Sequence, residues 1–232
     1  MTNEEKKISD EAVQYIKKHK RDLIAQFSSG VLLMQDQQPV SIFMAGSPGA
    51  GKTEVSKRLV ARFSQHPIRI DADEIRALCP GYIGTNAHLF QSAATKGVHI
   101  LHEYALQKNL NIILDGTFAY HDALDNIQRS LTRNRKVEIV YVYQPPAIAW
   151  DFTKKREALE SRRVSKETFI NAYFTSHENA NAAKKRFGDQ IELTVFVKNF
   201  GENTEDFAFN APHLESIIKQ WYTRSELEKI LV

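Results

Sequence analysis

Residues 46–53 read GSPGAGKT and lie between a short apolar run and an amphipathic stretch. The spacing of the glycines and of the final Lys-Thr pair is typical of a phosphate-binding loop, in which backbone N–H groups and the first turn of a helix surround the phosphates. Such a loop needs a strand before it and a helix after it. The apolar run from Val40 to Ala45 predicts the strand, and helical spacing from Thr53 to Phe63 predicts the helix. A nucleotide site is therefore predicted at the end of the first strand.

The alternation of strand and helix continues along the chain. Further strands are predicted at 68–70, 111–114, 136–143 and 191–197. Helical patterns separate these strands, as in a parallel sheet that is covered by helices on both faces. The sequence therefore predicts an α/β fold of the P-loop NTPase and kinase type, with a central, mostly parallel sheet of about five strands.

Each residue of the loop has an expected role in holding a nucleotide. Lys52 is expected to reach the β- and γ-phosphates, and the Thr53 hydroxyl is expected to bind Mg²⁺. The sequence contains no guanine-reading N-K-x-D segment, so ATP is the expected nucleotide and GTP is the alternative. The predicted nucleotide-binding residues are Gly46, Ser47, Pro48, Gly49, Ala50, Gly51, Lys52, Thr53 and Glu54.

The second strand ends in IDADEIR, residues 70–76, which brings carboxylates to the rim of the predicted nucleotide site. In a kinase, a carboxylate in this place accepts the proton of an acceptor hydroxyl and orients the oxygen toward the terminal phosphate. Asp73 is the candidate for this base, and a helix N-cap is the alternative role. The N-cap is the favoured role for Asp71. Arg76 is a candidate contact to the acceptor.

Two further regions contain candidate residues for phosphoryl transfer. Asp115 follows an apolar run, as does a carboxylate that holds Mg²⁺ directly or through water, although Asp-Gly is also common in simple turns. Late in the chain, arginines on and after a predicted helix are candidates to stabilise the charge of the transferring phosphoryl group. A solvated basic helix face is the alternative reading of these arginines. They are Arg156, Arg162 and Arg163.

Four motifs resemble those of the zeta toxin family of P-loop kinases. They are GSPGAGKT, IDADEIR followed by CPGY at 79–82, LDGT at 114–117, and the arginine region. The resemblance spans residues 38–200. It implies a kinase that phosphorylates a hydroxyl of a sugar nucleotide such as UDP-N-acetylglucosamine, together with a possible antitoxin partner.

The resemblance also implies roles for single residues. Asp73 matches the family's catalytic base, and Arg156 and Arg162 match its phosphate-clamping arginines, with Arg163 as the alternative to Arg162. One position departs from the pattern, because ungapped counting places His99 where the toxins have a sugar-binding glutamate; Glu103 lies one turn later. The implied substrate contacts are Asp73, Arg76, Tyr82, His99, Glu103 and Thr117.

Other functions stay open at this point. Nucleosides, NAD and antibiotic hydroxyls are alternative acceptors, as is the end of a polynucleotide. A nucleic-acid acceptor is disfavoured because no basic run with interleaved aromatic residues occurs. A nucleotide-binding switch without catalytic activity is the alternative from a different class.

Length and composition predict one domain over residues 1–232, with an N-terminal helical extension at 1–37, a kinase core at 38–200 and a C-terminal helical tail at 201–232. The apolar runs are too short to cross a bilayer, and the charged first residues do not form a secretion signal. The single cysteine, Cys79, excludes an internal disulfide. These features predict a cytoplasmic protein that does not contact a membrane.

Overall fold

The computed structural model describes residues 1–31, 38–160, 163–199 and 204–231. These residues form six strands and nine α-helices. The strands are β1 (Val40–Ala45), β2 (Ile68–Asp71), β3 (Ile112–Asp115), β4 (Lys136–Tyr143), β5 (Glu192–Asn199) and β6 (Thr204–Ala208). The helices are α1 (Asn3–Lys18), α2 (Lys20–Phe27), α3 (Lys52–Val60), α4 (Ala72–Ala77), α5 (Gln91–Gln107), α6 (Ala123–Leu131), α7 (Pro146–Glu160), α8 (Lys166–Phe187) and α9 (Arg224–Ile230).

The strands form one sheet in the order β2-β3-β1-β4-β5-β6. β1 to β5 are parallel, and β6 runs antiparallel to β5. β1 lies at the centre, where Phe43 is opposite Leu114 of β3 and Ile139 of β4. The segments that follow β1, β2 and β3 therefore meet at one edge of the sheet, which is where open α/β sheets bind ligands.

Helices cover both faces of the sheet, which confirms the predicted α/β class. Alternate residues of β1 point to opposite faces. Phe43 packs into a large core that includes residues of α5 and α8, whereas Met44 packs against Val55 of α3 on the other face. Among the described residues, no helix combines the length and the hydropathy that a bilayer span requires.

The structure differs from the sequence prediction mainly at the C-terminal end. The sheet has six strands rather than about five, because β6 adds an antiparallel edge strand. Its segment reads TEDFA, which is too polar to predict a buried strand. The tail predicted to be helical therefore contains a strand and a short 3-10 turn at Leu214–Ser216 as well as α9. The division into extension, core and tail stays a prediction.

The close packing of α4 on α5 depends on a glycine. A Cβ atom at residue 97 would lie 2.6 Å from Ile75 Cγ2 and 3.6 Å from Leu23 Cδ2. Ile75 is fully buried on α4, between Asp73 and Arg76 in sequence. Gly97 therefore allows α4 to approach α5, and α4 carries two of the predicted site residues.

We expect Gly97→Ala to lower the free energy of unfolding by about 1–3 kcal/mol, the usual cost of overpacking a core. The gain in helix propensity, about 1 kcal/mol, opposes this loss. Gly116→Ala is the matched control, because no atom lies within 4 Å of a Cβ built there. Urea unfolding of both variants checks the expectation, and a Gly97→Ala protein as stable as the wild type would contradict it.

Candidate active site

The phosphate-loop residues lie in direct contact with β4 and α7. A Cβ atom at Gly46 would be 2.2 Å from the Val142 carbonyl oxygen, and one at Gly49 would be 1.9 Å from the Ala149 carbonyl oxygen. The φ angles of Gly46, Gly49 and Gly51 are 125°, 73° and 88°, in the left-handed region that favours glycine. The glycines therefore allow a tight backbone turn whose N–H groups suit a chain of phosphates.

The loop leads directly into α3, which begins at Lys52. The Lys52 side chain is buried, and its Nζ donates a hydrogen bond of 2.6 Å to the Ser47 carbonyl oxygen. Gly46 N–H donates to the Thr117 carbonyl oxygen at 3.2 Å, so the loop after β1 is bonded to the loop after β3. The structure thus brings the predicted loop residues together with Thr117.

The Glu54 carboxylate lies beside the loop, where its Oε2 would be 3.7 Å from a Cβ atom at Gly51. Its carboxylate forms ion pairs with Arg58 at 2.7 Å and with Lys198 at 2.8 Å. Lys198 is a residue that the sequence analysis missed, and its Nζ lies 3.1 Å from where a Cβ of Gly51 would be. It lies on β5, far from the motif in sequence, so no local pattern identifies it.

Asp71 caps α4, as the sequence predicted. Its Oδ1 accepts a hydrogen bond of 2.9 Å from the Asp73 N–H. Burial, with the nearby charges of Asp73 and Asp115, raises the pKa of Asp71 to about 6. This cap fixes the start of a six-residue helix, which is too short to be stable on its own.

The candidate base, Asp73, faces two arginines. Its Oδ1 accepts a short hydrogen bond from Arg76 Nη1, and its Oδ2 lies 4.0 Å from Arg156 Nη2 on α7. Arg76 also donates to Gln91 Oε1 at 2.7 Å. The structure therefore brings Asp73, Arg76 and Arg156 together, although Arg156 is distant in sequence.

Asp73 and Arg76 line a cavity of about 1020 Å³ at the carboxyl edge of the sheet. Its volume suits a nucleotide-sized ligand. Its walls come from the ends of β1, β2 and β3, from the loops after β1 and β3, and from α4, α5, α6 and α8. The predicted site residues in its lining are Pro48, Asp73, Arg76, His99, Asp115 and Thr117.

Two predicted substrate contacts do not line this cavity. Tyr82 packs edge-on against Phe90, with ring centroids 5.7 Å apart. Glu103 forms ion pairs with Arg129 and Arg133 of the α6 region, the latter at 3.3 Å. These ion pairs engage the Glu103 carboxylate, and its contact with a substrate stays a prediction.

Of the two alternative arginines, Arg163 has its ion pair with Glu157 rather than with Asp73. Arg163 is largely exposed, and its Nε lies 3.9 Å from Glu157 Oε1. Arg162 lies outside the described residues. Arg156 is therefore the predicted phosphate-clamping arginine that the structure places beside the candidate base.

Asp115 occupies the predicted place at the end of β3, but its carboxylate is already engaged. Oδ2 accepts hydrogen bonds from Ser56 Oγ at 2.6 Å and from Arg69 Nη2 at 2.6 Å. In the part of the chain that the structure describes, no group of three or more His, Cys, Asp or Glu side chains is arranged to hold a metal. A role for Thr53 and Asp115 in binding Mg²⁺ thus stays a prediction, supported by the preference of this ion for oxygen ligands.

His102 is a cavity residue that the sequence analysis did not select. It lies one turn after His99, is 1% exposed, and packs edge-on against Phe43. Its Nε2 has no hydrogen-bond partner among the described residues. Burial, with the charges of Arg129 and Arg135 as further causes, lowers the pKa of His102 to about 3. His99 and His102 share a face of α5, and this spacing was the one feature of the sequence that pointed to His102.

Comparison with known proteins extends these observations. The family model described as Zeta toxin matches residues 27–211. A chain from the PezAT chromosomal toxin-antitoxin system of Streptococcus pneumoniae has 16% sequence identity and a TM-score of 0.68, over 100% of this chain and 93% of that chain. No curated protein matches the chain in sequence.

Structures of AvrRxo1-ORF1 with AvrRxo1-ORF2 are also similar. A chain of the native complex has 15% identity and a TM-score of 0.64, over 92% of this chain and 72% of that chain. A chain of the complex with ATP has 13% identity and a TM-score of 0.62, over 85% of this chain and 65% of that chain. At these identities the likeness establishes the fold.

We expect His102 to make stability depend on pH. Its folded-state pKa lies below the unfolded value near 6.5, so the unfolded chain binds a proton that the folded chain does not. The free energy of unfolding should fall by about 2 kcal/mol between pH 6.5 and pH 5 through this group. His102→Gln should remove this part of the pH dependence of the free energy of unfolding. His121→Gln, at a 99% exposed side chain, should keep it. Denaturant unfolding at both pH values tests this expectation. An equal change in the free energy of unfolding between the two pH values for wild type and His102→Gln would contradict it.

Proposed function

We propose that this chain, which belongs to the zeta toxin family of P-loop kinases, transfers the terminal phosphate of ATP to a hydroxyl of a sugar nucleotide. One observation carries the proposal. Pro48 of the phosphate loop and the candidate base Asp73 line the same cavity, whose volume of about 1020 Å³ is large enough for an acceptor molecule. A kinase requires both parts, one to hold the triphosphate and one to orient the attacking oxygen.

The phosphate loop would hold the triphosphate. Backbone N–H groups of residues 46–51 and the N-terminus of α3 would contact its oxygens. Lys52 Nζ would exchange its bond with the Ser47 carbonyl for bonds to the β- and γ-phosphates. Thr53 and Asp115 would hold Mg²⁺, which neutralises phosphate charge when bound, and the engaged Oδ2 of Asp115 favours contact through water.

Asp73 would act on the acceptor. Its carboxylate would take the proton of the acceptor hydroxyl while that oxygen forms a bond to the γ-phosphorus. The bond between the γ-phosphorus and the bridging oxygen breaks, and ADP leaves with the electron pair. Arg76 and Arg156 hold the carboxylate, and Arg156 would also stabilise the charge of the transferring group.

The composition of the cavity wall supports the proposal that the acceptor has many hydroxyl groups. Neutral hydrogen-bonding side chains supply much of its polar lining; they are Gln91, Thr95, Thr117, Asn126, Thr168, Asn171 and Thr175. Such groups pair with the hydroxyls of a sugar and fix its orientation. UDP-N-acetylglucosamine is the leading acceptor because of the family resemblance, with His99 contacting the sugar in place of the family's glutamate.

We also infer a protein partner and the nucleotide. The similar Streptococcus pneumoniae chain comes from a toxin-antitoxin system, and AvrRxo1-ORF1 is found in complex with AvrRxo1-ORF2. One structure of that complex contains ATP. These likenesses support an antitoxin-type partner for this chain and ATP as its nucleotide.

A labelling experiment tests the acceptor. Purified protein is incubated with γ-labelled ATP, Mg²⁺ and UDP-N-acetylglucosamine, with nucleosides, NAD and a 5′-hydroxyl oligonucleotide in parallel reactions. We expect labelled UDP-N-acetylglucosamine and much slower labelling elsewhere. Label in the oligonucleotide alone would instead assign a polynucleotide kinase, and ATP binding without any labelled product would favour a nucleotide-binding switch.

Two substitutions separate nucleotide binding from transfer. Lys52→Ala should weaken ATP binding and abolish transfer, because it removes the charge that faces the phosphates. Asp73→Asn should leave ATP affinity nearly unchanged and lower kcat by about 10²-fold or more, the scale of a positioned base. Asp189→Asn, at an exposed carboxylate, is the control. Label transfer and ATP titrations check both variants, and wild-type turnover in Asp73→Asn would exclude Asp73 as the base.

A further inference from the structure

Arg69 connects the two halves of the proposed site. It lies on β2, two residues before Asp71, so strand alternation places the two side chains on one face. Only 12% of the Arg69 side chain is exposed. Its neighbours Ile68 and Ile70 are buried in the core on the opposite face. The guanidinium is therefore held at the carboxyl edge of the sheet.

One set of Arg69 contacts leads to the candidate base. Nη2 donates to Asp71 Oδ2 at 2.8 Å, while the other Asp71 oxygen accepts the Asp73 N–H at 2.9 Å. Nη1 donates to Glu74 Oε1 on α4 at 2.5 Å. Arg69 thus holds both the cap of α4 and a side chain of its first turn. Because α4 has six residues, these contacts decide where Asp73 lies.

The other set leads to the phosphate-binding helix. Arg69 Nε and Nη2 donate to Asp115 Oδ2 at 3.0 Å and 2.6 Å, and Nε also donates to Ser56 Oγ at 3.1 Å. Ser56 lies on α3, one turn after Thr53, and its hydroxyl is bonded to both Asp115 and the Thr53 carbonyl oxygen. The same guanidinium is therefore bonded to α3, to the end of β3 and to α4.

The shape of arginine matters for this connection. Three carboxylates, those of Asp71, Glu74 and Asp115, surround one cation. Without it, two of them would be left buried with like charges close together, which is strongly unfavourable. A planar guanidinium donates in several fixed directions at once, whereas a lysine ammonium is a single point charge on a flexible stem.

We propose that Arg69 is a positioning residue, which sets the place of Asp73 relative to the phosphate-binding helix and acts on phosphoryl transfer through Asp73. It does not line the acceptor cavity and would touch neither the acceptor nor the transferring phosphate. The inference rests on the proposed role of Asp73 as the base.

A double-mutant cycle tests this role. The rate of label transfer from γ-labelled ATP into a bacterial metabolite extract is measured for wild type, Arg69→Met, Asp73→Asn and the double variant. We expect Arg69→Met to lower the rate at least about 10-fold, the scale of a displaced catalytic group, with ATP affinity nearly unchanged. When residue 73 is already Asn, Arg69→Met should change the rate less than about 3-fold, because the effects of two coupled residues on the rate are not additive.

Two further variants are measured in the same assay: Arg69→Lys as the conservative substitution and Arg186→Met as the control. Arg69→Lys keeps the charge without the planar geometry, so its rate should lie between those of wild type and Arg69→Met, and it also replaces Arg69→Met if that variant does not fold. Arg186 is exposed at the end of α8, and Arg186→Met should match the wild type. The inference would be overturned if Arg69→Met lowered the rate by the same factor with Asp or with Asn at residue 73. A wild-type rate in correctly folded Arg69→Met and Arg69→Lys proteins would also overturn it. A wild-type rate in Asp73→Asn would instead refute the proposed base.

Discussion

The contact between the backbone of residues 46–51 and the elements beside it is the constraint on which the rest of the site depends. Gly46 lies against β4 and Gly49 lies against α7, closer than any side chain permits. This packing fixes where α3 begins, and α3 then carries Lys52, Thr53 and Ser56 to the carboxyl edge of the sheet. Every other functional side chain is positioned relative to that edge.

The parallel sheet explains why residues from distant parts of the chain meet. β1 lies between β3 and β4, so the loop after β1 adjoins the loop after β3, and β2 follows β3 at the sheet edge. Asp71 and Asp115 are direct cross-strand neighbours at the ends of β2 and β3. Their burial beside each other is electrostatically costly, and Arg69 offsets that cost. Burial, with the charges of Asp73 and Asp115 as further causes, raises the pKa of Asp71 to about 6, and perturbed pKa values are common at functional sites.

Much of the fold and part of the site followed from local sequence patterns. The loop at 46–53, the strands with apolar runs, the Asp71 cap and the place of Asp73 were all predicted, because each depends on residues adjacent in sequence. β6 was missed because an exposed edge strand needs no apolar pattern. Arg69, Lys198 and the ion pairs of Glu103 were missed because tertiary packing brings their partners together from distant segments. Tyr82 was selected by motif resemblance alone; it packs against Phe90 and does not line the cavity, and its contact with a substrate stays a prediction.

A crystal structure with a non-hydrolysable ATP analogue and Mg²⁺ tests the central claim most directly. We expect the triphosphate to lie along the backbone N–H groups of residues 46–51, with Lys52 Nζ moved from the Ser47 carbonyl to the β- and γ-phosphates. The Asp73 carboxylate should face the γ-phosphate across the cavity, within reach of an acceptor hydroxyl. A nucleotide bound elsewhere while the bond from Lys52 to Ser47 persists, or an Asp73 carboxylate turned away from the γ-phosphate, would contradict the proposed mechanism.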